Sequence, residues 1–139
     1  VKRFFTALAL AAVMVIGSTT AALAGSPHFV DDQLSVARSD NTLTVSGKEA
    51  GLGDEAQVHI VLSATASCIN PGDNHPQAAN KESLNAAGDF PVQNGKADFE
   101  LSVTAVFQPS CSPPMTVVFS DVTITDTTNG VTETLTGTF

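Results

Sequence analysis

The stretch Asn94-Gly-Lys-Ala-Asp-Phe-Glu-Leu-Ser-Val-Thr-Ala-Val-Phe107 decides the fold. After the Asn-Gly pair, Ala97, Phe99, Leu101, Val103, Ala105 and Phe107 occupy every second position, with Asp98, Glu100, Ser102 and Thr104 between them. A period of two marks a strand with one buried face, whereas a helix would repeat its apolar residues every third or fourth position. Asn94-Gly95 supplies the positive φ angles that a tight type I′ turn requires, so a hairpin is expected between this strand and Phe90/Val92.

The same period extends in both directions. Val58, Ile60, Leu62, Ala64, Ala66 and Cys68 share one face, His59, Ser63, Thr65 and Ser67 the other, and Val61 is the exception. Upstream, Leu34 and Val36 begin a strand, Ser39-Asp40-Asn41 turns the chain, and Leu43 and Val45 alternate with Thr42, Thr44 and Ser46 before a loop from Gly47 to Asp54. Downstream, Asn129-Gly130 joins a strand over residues 117–125 to a last one. There Val131, Leu135 and Phe139 face one way and Thr132, Thr134, Thr136 and Thr138 the other.

Only residues 78–87 tolerate a helix, and a loop or single turn is expected for part of them. The expected fold is therefore all-β, with about seven strands. One sheet of this content would leave an apolar face uncovered, so two sheets packed as a sandwich are expected. An immunoglobulin-like Greek key is the first choice, and a small closed barrel the alternative.

Residues 1–24 read as a secretory signal peptide. Lys2 and Arg3 precede an apolar run from Phe4 to Gly17, then a polar break and the small-x-small signal Ala22-Leu23-Ala24. The run is short for a membrane span. No Cys follows the cleavage site to carry a lipid anchor, so no membrane insertion is expected after cleavage. Val1 in place of an initiator Met reads either as a GTG start of a bacterial gene or as a clipped terminus. Cleavage after Ala24 leaves one domain, residues 25–139, expected to be secreted.

All fourteen acidic residues lie in that domain against four of the six basic ones, leaving a formal charge of −10. Such a surface repels phosphate backbones and anionic lipid, so nucleic acid is not an expected partner. Cys68 and Cys111 are the only cysteines, and in an exported chain of this size they read as a structural disulfide. A Cys-x-x-Cys redox pair is absent from the sequence. Closing that loop stabilises the fold by about 4 kcal/mol at most in the chain-entropy account. The bridge would tie together two loops at one end of the sandwich.

Two segments beside the cysteines are candidate binding loops. The first, Ile69 to Asn80, offers Asn70, Asp73, Asn74 and Asn80 as oxygen donors and His75 as a nitrogen. Their spacing matches no EF-hand, and Asx side chains more often cap their own turns, so no metal and no cofactor is expected. His28, His59 and His75 lack the local spacing of a zinc or copper site. The second segment, Cys111-Ser-Pro-Pro-Met-Thr116, resembles a rigid inhibitor loop through Pro113, Pro114 and Met115.

No Gly-x-Ser-x-Gly and no His/Asp pairing is visible, so no catalytic residues are assigned. The absence of Trp and Tyr argues against a sugar-stacking platform.

The segments Leu43 to Gly53, Cys68-Ile-Asn-Pro-Gly-Asp-Asn-His-Pro76, Asn80-Lys81 and Ala87 to Lys96 resemble a group of small exported bacterial proteins of actinomycete type. That resemblance implies export and a β fold, and brings no catalytic residue with it. Val45-Ser-Gly47, Gly51-Leu52, Cys68-Ile-Asn-Pro71 and Gly95-Lys-Ala97 are also similar in order to the neocarzinostatin-type apoproteins, which are immunoglobulin-like carriers of enediyne chromophores. That family has two disulfides where this chain can form one, so only the architecture is carried over. The expected function is a non-catalytic extracellular binding module for a protein or small molecule. A carrier of a small apolar ligand and a protease inhibitor acting through residues 111–116 are the alternatives.

Overall fold

A computed structural model describes residues 25–70 and 80–139, and the expected signal segment lies outside them. Eight strands run in chain order: β1 His28–Phe29, β2 Ser35–Ser39, β3 Thr42–Ala50, β4 Gln57–Ile69, β5 Lys81–Pro91, β6 Ala97–Thr104, β7 Thr116–Asp126 and β8 Val131–Leu135. A single 3-10 turn, Asp31–Gln33, separates β1 from β2. The strands form two antiparallel sheets. In the first, β1 and β2 share one edge of β3 and β6 takes the other. The second has the order β5-β4-β7-β8.

The period-two faces meet between the sheets. Leu43 and Val45 of β3, with Phe99 and Leu101 of β6, pack toward Ile60 and Leu62 of β4 and Phe119 and Ile124 of β7, and all eight are buried. Burying a side chain of this size stabilises the fold by roughly 1.5–3 kcal/mol. Phe99 is the aromatic hub, with Phe29 and Phe90 edge-on at centroid distances of 5.6 and 6.1 Å. Gly47 makes room for it: a Cβ there would lie 3.0 Å from the Phe99 ring and 2.6 Å from Leu34.

Beyond the loop expected from Gly47, which is strand through Ala50, three expectations need correction. Asn94 and Gly95 do adopt φ of 52° and 73°, as a type I′ turn requires, but only Gln93 and Lys96 bridge across it. Beyond that bridge the flanking strands part: β5 pairs with β4, and β6 with β3. The turn therefore carries the chain from one sheet to the other instead of closing a hairpin. Sequence specifies the turn locally, while partner choice follows from which long apolar strand lies alongside.

The second correction concerns the helix-tolerant stretch, which is strand from Lys81 onward because Leu84, Ala86 and Phe90 align on the face packed against the core. The third is the loop at Asn129-Gly130. It does close a hairpin, but over four residues, with only Gly130 at positive φ and its N–H donating to Asp126 O at 2.8 Å. In β7, Asp121 at φ 50° coincides with a register shift against β4, an extra residue that keeps both Phe119 and Val122 inward.

Candidate functional site

β4 runs the length of the second sheet and ends where β5 begins, Ser67 pairing with Lys81 and Ile69 with Thr116 of β7. The disulfide sits at this end, with Cys68 buried and the Cys68–Cys111 Cα atoms 5.8 Å apart. It fastens the segment between β6 and β7 to the sheet. Two further bonds hold that segment: Ala105 N–H donates to Asn41 O at 2.8 Å, and Val106 N–H donates to a Glu82 carboxylate oxygen at 2.9 Å. Fixed on both sides, Val106 stands in solvent at 66% exposure, the one exposed large hydrophobic residue among those described. A cleft of about 330 Å³ opens beside it, lined by Asn41, Val106, Phe107, Gln108 and Cys111 among others.

The candidate loop residues divide into four groups. Asn70 is exposed just after β4 and Asn80 is half-buried just before β5, so both flank the bridged end. Asp73, Asn74 and His75 lie outside the described residues. Pro113 and Pro114 are exposed at the same end. Met115 is instead half-buried, its Sδ 3.8 Å from Cys68 Sγ and its N–H donating to Ser112 O at 2.9 Å. Residues 112–115 thus form a closed turn, with Ser112, Pro113 and Pro114 exposed and Met115 turned toward the bridge.

Sequence reasoning missed a His/Asp pair. His59 Nδ1 lies 2.7 Å from Asp89 Oδ1, because the register of β4 on β5 places these residues directly opposite each other on the outer face. The neighbouring hydroxyls of Thr127 and Thr128 bond the backbone of His59 and not its ring. Among the described residues no hydroxyl or thiol bonds the ring. A second cleft of about 430 Å³, near the 93–96 turn, is lined by Lys48, Lys96 and Asp98, and the ion pair of Lys48 with Asp98 at 3.4 Å already offsets part of its positive charge.

The least expected polar group lies at the other end of the sandwich. Glu49 continues the inward phase of Leu43, Val45 and Gly47, and Asp126 continues that of Val122 and Ile124. Both are fully buried. Asp126 is well satisfied: Oδ1 accepts from the N–H groups of Thr128 at 2.7 Å and Asn129 at 3.3 Å, and Oδ2 accepts from Asn129 Nδ2 at 2.7 Å. Asn129 Nδ2 also donates to Glu55 at 3.0 Å.

Neither oxygen of Glu49 meets an N–H or O–H donor. Its polar neighbour is the carboxyl group of Asp126, which can only accept unless a proton lies between the two. Burial, then Asp126 and Glu55, push Glu49 up to about 8, so at neutral pH it holds that proton and donates it to Asp126. The pair is closed to solvent. Period-two phase was the signal that could have found Glu49, since a strand beginning Leu43, Val45 directs it inward.

Among the described residues no group of three or more His, Cys, Asp or Glu side chains is arranged to hold a metal ion, and no helix is long and apolar enough to cross a membrane. Comparison with protein-family models, curated proteins and solved structures found no match.

Proposed function

We propose that this chain is an exported, non-catalytic binding module of immunoglobulin-like topology that meets its partner at the disulfide-bridged end. The strand order supports the topology. If β2 to β8 are lettered A to G, strands A-B-E face G-F-C-D, whereas the constant-type immunoglobulin domain has ABED facing CFG. Only the fourth strand changes edge.

The observation that carries the binding reading is Val106: an exposed apolar side chain on a segment held by the disulfide and by bonds to Asn41 and Glu82. Loops fixed on a rigid scaffold at one end of a sandwich are where such domains bind. The carrier reading requires a cleft that bares core aromatics: Phe29, Phe99 and Phe119 are buried, whereas Phe107 lines the cleft beside Val106 and Phe90 and Phe139 are half-buried. The exposed Val106 is what favours a protein partner over a small apolar ligand.

Native mass spectrometry of the exported protein tests the reading. A chain of residues 25–139, two hydrogens light, carrying a different polypeptide that a Val106→Asp variant loses, is the expected result. Added mass of small-molecule size would support the carrier instead. A chain that never acquires a partner would overturn the proposal.

A further inference from the structure

The sheet edges differ in how they are protected. β2 is five residues long and carries Arg38; β8 is also five residues long, with Glu133 in its inward phase; and β6 carries Asp98 and Glu100. Short strands and charges of this kind discourage edge-to-edge pairing. The free edge of β5 is unlike them. It is eleven residues long, and from Ser83 to Gly88 it holds neither charge nor proline. Glu82 is tied back to Val106 N–H at 2.9 Å and so does not guard the edge. Among the described residues no strand pairs with this side of β5.

We infer that this edge is an interface, pairing antiparallel with β5 of a second copy about a two-fold axis at Asn85. The strand is self-complementary in that register. On the outer face Lys81 meets the second copy's Asp89, whose Oδ1 is bonded to His59 and whose Oδ2 remains for the pair, Ser83 meets Ala87, and Asn85 meets Asn85. On the inner face Glu82 meets Gly88 and Leu84 meets Ala86. No like charges are opposed, and both ends gain an opposite-charge pair. Moving the axis to Leu84 or Ala86 loses both Lys81–Asp89 pairs. Asn85 Oδ1 accepts from Ser63 Oγ at 2.6 Å and keeps a second lone pair, so across the axis each Asn85 amide N–H has the second copy's Oδ1 as its acceptor. The product is a closed, isologous dimer with a continuous eight-stranded sheet, and it removes the longest free edge of the fold. This interface does not depend on the binding proposal above.

Sedimentation equilibrium of the disulfide-bonded protein from 1 µM to 1 mM, with circular dichroism to confirm each fold, tests it. Those concentrations are about the range over which a modest edge interface assembles. The parent should dimerise. Lys81→Asp and Asp89→Lys should each weaken the dimer about tenfold or more, since each reverses two symmetry-related pairs. Combining them should restore it to within about threefold of the parent. Asn85→Lys, which opposes two ammonium groups at the axis, should give a monomer. A parent that stays monomeric throughout, or single variants that dimerise as well as the parent, would overturn the inference.

Discussion

Glu49 of one sheet faces Asp126 of the other, and the carboxyl of Asp126 is the polar group available to Glu49 within the core. A proton on Glu49 is what makes this contact attractive. A neutral Glu49 therefore places a proton between the two sheets at the end opposite the disulfide.

Stability should fall as pH rises across the window between the ordinary value of 4.5 and about 8, because the folded state there holds a proton that the unfolded chain releases. The slope from this one group approaches about 1.4 kcal/mol per pH unit, flattening below and above the window. Urea unfolding at pH 5, 7 and 9 measures it. Glu49→Gln keeps a donor toward Asp126 and cannot ionise, so its slope should be shallower and its stability at pH 9 higher than the parent's.

Asp126→Ala removes the acceptor for two backbone N–H groups and the Asn129 amide, and takes away the carboxyl that faces Glu49. A loss of roughly 2–4 kcal/mol is expected, at the upper end for a buried polar network. Equilibrium denaturation would show it as a lower midpoint at unchanged slope.

Replacing both cysteines with Ala should cost up to about 4 kcal/mol. The effect should also be polar along the molecule. Amide exchange should quicken over residues 105–115, which the bridge fastens, and stay near the parent's at Thr128 and Gly130, which Asp126 holds.

Gly51→Ala should be among the most damaging small substitutions. Its φ is +76°, and a Cβ would lie 2.2 Å from the backbone oxygen of Ser26. The left-handed angle alone costs roughly 1–2 kcal/mol, and the clash must displace residues 25–27 or the 51–53 loop. A drop in melting temperature with faster exchange at Phe29 is the expected result.

Much of this fold was readable because alternation survives in nearly every strand, and β6 is buried and exposed in strict turn. Partner choice was not readable. Asn94-Gly95 forms its turn in either topology, and only the long pairing of β4 with β5 shows that the chain changes sheet there. The same distance from local sequence hid His59–Asp89, thirty residues apart yet cross-strand neighbours. At the candidate site, the disulfide and the exposed prolines followed from composition and spacing. The burial of Met115 did not, because it depends on the bridge at Cys68, whereas the exposure of Val106 follows from its place on the outward phase that Asp98, Glu100, Ser102 and Thr104 begin. Glu49 was legible in phase but contradicted by its charge, and the proton that resolves the conflict depends on Asp126, seventy-seven positions away.

The binding claim is tested most directly by mapping contacts on cells that produce the protein, with a photo-crosslinking residue placed in turn at Val106, Pro114 and Asn94. Adducts to one partner from positions 106 and 114, at the bridged end, and none from position 94, at the opposite end, are the expected result. Adducts from position 94 alone, or from none of the three, would contradict a module that binds through its disulfide-bridged end.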